Sequence, residues 1–209
     1  MAITSPYLIP SAPVTFEEEI KRSRFITLLS HTPSAAEAKA FIQRIKNAHP
    51  QAGHHCWGFV AGPPADSMQL GFSDDGEPSG TAGKPILAQL QGSHIGEITA
   101  VVIRYSGGTK LGTGGLVKAY GGGVKQALSL LTTKTRVATA HIAIEYDYAL
   151  QGVIDDLTRE YDLCITSSRF TEVASIVVSI EAIQVTSLLK KASLFENTKL
   201  RARHLEPKE

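Results

Sequence analysis

Two motifs organise this 209-residue chain: GFSDDGEPSGTAGKP at residues 71–85 and RYSGGTKLGTGGLVKAYGGG at residues 104–123. The first motif places three carboxylates around one glycine, and the second contains eight glycines in twenty residues. Glycine is used where φ must be positive or where the backbone comes very close to another group. The two motifs therefore predict a surface built from backbone groups beside charges, suited to a partner or an anion.

The two motifs resemble the signature of the IMPACT family, and in particular that of its bacterial YigZ-type members. The likeness starts at Leu8-Ile-Pro-x-Ala-Pro13, includes His54-His55-Cys56 and continues past residue 130, and a looser likeness covers the tail. The chain departs from the family at Ser106, where a second aromatic residue is common. This departure removes the basis for expecting paired aromatic rings to stack on a base.

The resemblance implies an α+β fold of two domains. The first would resemble the second domain of small-subunit ribosomal protein five. The second would be ferredoxin-like, similar to the last domain of elongation factor G. The resemblance also implies translational regulation, since eukaryotic members compete for a partner of a stress kinase. The appended second domain is typical of bacterial relatives, so that partner does not transfer to this chain.

Composition indicates an ordinary globular protein, with 43% hydrophobic and 20% charged residues. Cys56 and Cys164 are too far apart for a metal or disulfide pattern, which favours a reducing compartment. The N-terminus lacks the basic start and apolar core of a secretory signal, and no apolar run approaches the length of a membrane span. We therefore expect a cytoplasmic protein with no membrane partner.

Glycine and charge divide the chain into two parts, which predicts domains at residues 1–135 and 136–209. Seventeen of the 18 glycines precede residue 136. Residues 1–135 carry 12 Lys and Arg against 9 Asp and Glu, whereas residues 136–209 carry 9 against 11. The positive bias of the first part is mild compared with that of a typical basic nucleic-acid binder.

Several patterns predict elements of the first domain. Ser34 followed by Glu37 is a capping box, and the helix after it should stop at Pro50. A strand is predicted over Met68–Phe72. Thr81 or Ser79 is predicted to cap a second helix that ends at Gly92. Residues 98–105 are nearly all apolar and β-branched, which predicts a central strand buried on both faces.

A further helix is predicted straight through Gly121-Gly122-Gly123, because the apolar residues on either side keep helical register. Three helical glycines would cost about 1 kcal/mol each relative to alanine, so close packing against another backbone is expected there. The alternative is a turn at the glycines between two short helices.

In the second domain, the apolar residues recur first with the period of a strand and then with that of a helix. The predicted elements follow in the order β-α-β-β-α-β, which is the ferredoxin-like order.

The acidic loop has two interpretations. Asp74, Asp75 and Glu77 could hold Mg²⁺, because hard cations take carboxylate oxygens. Asp and Gly in series are also common turn formers, and their carboxylates cap backbone groups nearby. The structural role is favoured and no metal or other cofactor is predicted, while metal binding stays an alternative.

Neither common nucleotide-binding loop is present. A Walker A loop would need glycine at Pro78 and Ser or Thr at Pro85, and the dinucleotide fingerprint would need glycine at Val117. These mismatches argue against a nucleotide enzyme of either common type. No motif for sequence-specific DNA recognition is present either.

His54-His55-Cys56 suggests a metal or nucleophile site at first sight. Successive side chains of a strand point to opposite faces, so these three side chains do not converge by themselves. A reactive thiolate is disfavoured in an apolar strand, and both Cys56 and Cys164 are expected in the core.

Basic residues accompany the glycines. Lys118 and Lys125 are two turns apart on one helix face, and with exposed glycine amides they could form an anion site. The alternative is an ordinary solvated helix face. The candidate binding residues are Lys84, Arg104, Tyr105, Gly107, Gly108, Lys110, Gly112, Gly114, Gly115, Lys118 and Lys125.

Three classes of function follow from these observations. The favoured one is a translation-associated binding protein that acts on RNA or a ribosome-associated partner, without catalysis. The second is an enzyme for a phosphorylated or nucleotide substrate, with a metal at the acidic loop and Lys84 or Lys110 on the phosphate. The third is a module that binds only proteins.

Overall fold

The computed structural model describes residues 6–195, 197 and 199–205. These residues form two compact units: one is Tyr7–Arg136, and the other contains Pro6 and the described residues from Val137 onward. Helices and antiparallel sheets occur in both units, so the fold is α+β. Within the described part of the chain, no helix has the length and apolar character needed to cross a membrane.

The first unit is built on a five-stranded antiparallel sheet with the strand order β2-β3-β6-β4-β5. Its strands are β2 (Val14–Ile20), β3 (Ser23–His31), β4 (His54–Val60), β5 (Leu70–Ser73) and β6 (Ile98–Tyr105). β6 lies in the centre, and every residue of it except Tyr105 is buried. The prediction of a central strand buried on both faces is therefore confirmed.

Helices cover both faces of this sheet. α1 (Ala35–Ala48) packs on one face, where its apolar side meets Val101 and Ile103 of β6. α2 (Gly83–Gly92) and α3 (Thr113–Ser129) pack on the other face, which carries Ala100 and Val102. The predicted cap of α1 is confirmed, since the Ser34 hydroxyl accepts from the Glu37 N–H at 3.2 Å.

Two local predictions were wrong. Neither Thr81 nor Ser79 caps α2, because Ala82 holds the N-cap position without a side-chain bond and the cap comes from Asp74 in the preceding loop. The strand predicted from Met68 begins only at Leu70, since residues 67–69 form a 3-10 turn.

α3 runs without interruption through the three glycines, as predicted. A Cβ atom on Gly123 would lie 2.7 Å from the Thr27 hydroxyl and 3.3 Å from a Glu18 carboxylate oxygen. Gly123 is thus required by close packing, but against side chains of β3 and β2 rather than against a backbone. Gly122 faces open space, and a Cβ atom there would meet nothing within 4 Å.

A two-stranded ribbon that the sequence did not reveal joins β1 (Tyr7–Pro10) to β7 (Thr133–Arg136). The buried Glu97 carboxylate holds it to the sheet. Glu97 accepts from the Tyr7 hydroxyl at 2.7 Å, contacts the His31 ring nitrogen at 2.6 Å, and lies 3.4 Å from the Arg136 guanidinium. Burial alone would raise the pKa of Glu97, but the His31 and Tyr7 bonds and the Arg136 charge lower it.

The second unit contains β8 (Thr139–Tyr146), α4 (Gln151–Glu160), β9 (Cys164–Phe170), β10 (Ala174–Glu181), α5 (Val185–Ser193) and β11 (Arg201–Leu205). Its four strands form one antiparallel sheet in the order β11-β8-β10-β9. β9 is an edge strand in which every residue is exposed. The expectation of a buried Cys164 was therefore wrong, because β9 lies at the sheet edge and its side chains are exposed on both faces.

Replacing Gly122 and Gly123 separately by alanine should change stability in opposite directions. We expect Gly122→Ala to stabilise the protein by up to about 1 kcal/mol, because alanine is the better helix former and the site is open. We expect Gly123→Ala to destabilise it by about 1 kcal/mol, because overpacking against the buried Thr27 outweighs that gain. Urea unfolding of both variants measures the difference, and stabilisation by both would contradict the packing at Gly123.

Candidate functional site

The Asp74 carboxylate caps α2 from the acidic loop. It accepts N–H bonds from Gly80 at 2.8 Å, Ala82 at 3.0 Å and Gly83 at 2.8 Å. Burial alone would raise the pKa of Asp74, but these three donors outweigh it and lower the pKa. The carboxylate thus occupies the place at the start of α2 where a bound anion would otherwise sit.

Asp75 fastens the same loop to α1 and β4. Its carboxylate accepts from the Lys46 ammonium at 2.7 Å and from the His55 backbone N–H at 2.7 Å. Burial would raise the pKa of Asp75, but these two donors lower it. Its backbone carbonyl accepts from the His54 ring at 3.0 Å. Both carboxylate oxygens are therefore engaged within the protein.

Glu77 is the buried member of the acidic loop. Its carboxylate accepts from the Arg104 guanidinium at 2.7 Å and from the Tyr120 hydroxyl at 2.7 Å. Arg104 also donates to the Ser23 hydroxyl at 3.4 Å, and this hydroxyl accepts from the Gly107 N–H at 3.3 Å. Glu77 is thereby linked through Arg104 and Ser23 to the start of the glycine-rich loop.

The His54-His55-Cys56 segment does not form a reactive site. The Cys56 thiol is fully buried and donates to the Asp74 carbonyl at 3.0 Å. Burial raises the pKa of this thiol to about 12, which keeps it protonated at neutral pH. Among the residues that the structure describes, no group of three or more His, Cys, Asp or Glu is arranged to hold a metal ion.

The glycine-rich loop packs against a strained basic turn. Lys21 and Arg22 form the two-residue turn between β2 and β3, with φ values of +48° and +66°. Type I′ hairpin turns require positive φ at both positions and usually contain Asn and Gly there. A Cβ atom on Gly107 would lie 1.7 Å from the Arg22 carbonyl oxygen, so only glycine allows this contact.

Six exposed cations surround this loop and α3. None of them takes part in an ion pair with another described residue. Lys118 and Lys125 share the α3 face that carries Gly121, and Gly121 faces Pro85, the neighbour of Lys84. We call these six residues the basic strip: Lys21, Arg22, Lys84, Lys110, Lys118 and Lys125.

The start of α3 is open, in contrast to that of α2. Gly112 is the N-cap, it supplies no side-chain bond, and the first turn contains no acidic residue. The first-turn N–H groups of a helix have no intrahelical acceptors. Cβ atoms on Gly108, Gly112 or Gly114 would meet nothing within 4 Å, so the side-chain direction at each of these positions is open.

Two predicted binding residues do not belong with the exposed lysines. Arg104 is 8% exposed, because its guanidinium is drawn inside by Glu77 and lies 5.7 Å from the Phe25 ring centre. Tyr105 is half-buried and bonded to the His49 ring at 2.8 Å. Lys21 and Arg22 were not predicted as binding residues, because the sequence marks them only as two adjacent basic residues.

Comparisons with known proteins agree with the sequence resemblance. A family model described as the Impact N-terminal domain matches residues 21–128. The IMPACT family member YigZ of Escherichia coli is 50% identical over 200 residues, which cover 96% of this chain and 98% of that protein. An IMPACT family member of Haemophilus influenzae is 56% identical over 164 residues, covering 78% of this chain and 80% of that protein.

A solved structure has the same fold. It is a crystal structure described only as that of a hypothetical protein, with a TM-score of 0.72 and 49% sequence identity. The alignment covers 98% of this chain and all of the other.

Replacing Asp74 by alanine should destabilise the protein by about 2 kcal/mol at neutral pH, because an N-cap acceptor is lost. The lowered pKa of Asp74 means that its contribution is complete above the unfolded pKa of about 3.9. The contribution disappears as the pH falls through the folded pKa, so wild type and Asp74→Ala should converge in acid. Urea unfolding at a series of pH values measures this convergence.

Asp66→Ala is the matched control, since Asp66 accepts only the Met68 N–H at 2.8 Å, at an exposed 3-10 turn. It should cost less than half as much. Thermal unfolding with Mg²⁺ and with EDTA completes the test. A melting temperature raised by Mg²⁺ in the wild type but not in Asp74→Ala would contradict a purely structural loop.

Proposed function

Because this chain belongs to the IMPACT family, we propose that it is a translation-associated protein that binds RNA through the basic strip. The observation that carries the proposal is the set of six exposed cations without acidic partners around an open glycine-rich loop. Phosphate groups are the anions that such cations and backbone N–H groups bind together.

The partners of the acidic-loop carboxylates are compatible with this assignment. All three carboxylates of the acidic loop have cationic or N–H partners, so they do not neutralise the basic strip. These partners would compete with any metal ion that the enzyme alternative places at the loop. The proposal includes a cytoplasmic location, which agrees with two free cysteines.

The proposal gives different roles to the residues of the second motif. Lys110, Lys118 and Lys125 would contact phosphates, and Gly108, Gly112 and Gly114 would keep the backbone accessible, whereas Gly115 packs against Leu111. Lys84 would act from the neighbouring helix α2. Arg104 would not touch RNA but would hold Ser23 and the loop that begins at Gly107.

We also propose that the two compact units are separate domains, the second with a ferredoxin-like fold. The support is the division at Arg136 and the strand order β11-β8-β10-β9 around two helices. Residues 1–136 and 137–209, expressed separately, should each unfold cooperatively by circular dichroism. The first fragment includes Arg136 because this residue pairs with Tyr7 and contacts Glu97. Two unfolded fragments would refute the division.

Removing two charges from the basic strip should weaken RNA binding and its dependence on salt. Each phosphate contact contributes roughly 0.7 to 0.9 to the slope of log K against log salt concentration. Lys118→Gln combined with Lys125→Gln should therefore reduce the slope by about 1.4 to 1.8. Fluorescence anisotropy with a labelled RNA hairpin that has a single-stranded tail, at several KCl concentrations, measures both affinity and slope.

The control is Lys39→Gln combined with Lys190→Gln, which removes the same charge from α1 and α5. Both lysines are exposed and lie outside the basic strip. The control should leave the slope unchanged. An equal reduction in both variants would show a nonspecific charge effect. No RNA binding by the wild type at low salt would refute the proposed function and leave a protein partner in its place.

A further inference from the structure

The central segment of the second motif lacks the aromatic side chains on which bases stack. Residues 106–118 consist only of Ser, Gly, Thr, Lys, Leu and Val. Proteins that bind single-stranded RNA without sequence preference stack its bases on aromatic rings. This segment has no aromatic ring, so it offers no surface on which a base could stack.

The aromatic rings adjoining this segment are already occupied. Tyr105 precedes it, and its ring has the Arg24 guanidinium 5.8 Å from its centre and its hydroxyl bonded to His49. Tyr120 follows it and is fully buried against Phe25, with the ring centres 5.4 Å apart. Tyr120 is therefore closed to a base, and Tyr105 is held by two partners within the protein.

The segment does present hydroxyl groups. Ser106, Thr109 and Thr113 are exposed, and no side-chain hydrogen bond joins Thr109 or Thr113 to another described residue. Double-stranded RNA is recognised mostly through its phosphates and 2′-hydroxyl groups, across the wide minor groove. Lysines and threonines on a glycine-rich backbone supply donors for both groups.

Resting on the proposed function above, we propose that the basic strip recognises the sugar–phosphate backbone of double-stranded RNA rather than unpaired bases. Lys110, Lys118 and Lys125 contact phosphates, while the Thr109 and Thr113 hydroxyls contact 2′-hydroxyl groups. Lys118 and Lys125 are about 10 Å apart along α3, so they reach different phosphates. Recognition of this kind depends on the shape of the duplex and is independent of its sequence.

The test compares three probes with the full-length protein at one salt concentration. They are an RNA duplex of about 16 base pairs, either of its separated strands, and the DNA duplex of the same sequence. The RNA duplex should bind at least about tenfold more tightly than either strand, because the duplex holds its phosphates and 2′-hydroxyl groups in a fixed array whereas a flexible strand must be ordered on binding. It should also bind more tightly than the DNA duplex, which lacks 2′-hydroxyl groups.

Thr109→Val combined with Thr113→Val keeps the shape and removes the hydroxyl groups. This variant should lose the preference for RNA over DNA duplex, while its affinity for DNA stays unchanged. Single-stranded RNA that binds as tightly as the duplex would overturn the inference but leave RNA binding intact. A preference for RNA duplex that survives in the variant would overturn the role of the hydroxyl groups. No binding to any RNA probe would overturn the inference together with the proposed function.

Discussion

The buried Glu77 carboxylate is the contact on which the rest of the first unit depends. It joins the acidic loop to β6 through Arg104 and to α3 through Tyr120. Removing either charge of such a buried pair leaves the other uncompensated, at a cost of about 3–5 kcal/mol. The same network continues to Ser23 and Gly107, so the glycine-rich loop takes its position from a carboxylate on another segment. The two motifs of the sequence are thus two halves of one polar network.

The fold was predictable from sequence where the signal is local. The capping box at Ser34, the buried strand β6 and the unbroken helix α3 each follow from a pattern within a few residues. The ribbon of β1 and β7 was not predictable in this way, because its strands have four residues each and are separated by more than 120 positions. The start of α2 was misassigned for a related reason. The carboxylate that accepts the first N–H groups of α2 belongs to Asp74, which lies well before the N-cap position, whereas a capping side chain normally comes from the N-cap residue itself.

The candidate site was predictable in composition but not in arrangement. The sequence named a set of lysines and glycines as a candidate binding site, and the lysines of that set are exposed; binding by them stays a prediction. It did not indicate that Arg104 points inward, because an arginine at the end of a strand has no sequence feature that reveals a buried carboxylate partner. Lys21 and Arg22 were missed because their role depends on Gly107, 85 positions after Arg22 in the chain.

The β1–β7 ribbon has a consequence for how this unit is used in evolution. Tyr7 pairs directly with Arg136, so the chain enters and leaves the unit at neighbouring positions. A unit whose ends meet can be inserted into a loop of another protein, or joined to a new partner domain, without disturbance of its core. Glu97 holds the two ribbon strands together at the same point, since its carboxylate contacts Tyr7 of one strand and Arg136 of the other. The architecture of this unit therefore allows it to be transferred as a whole from one protein to another.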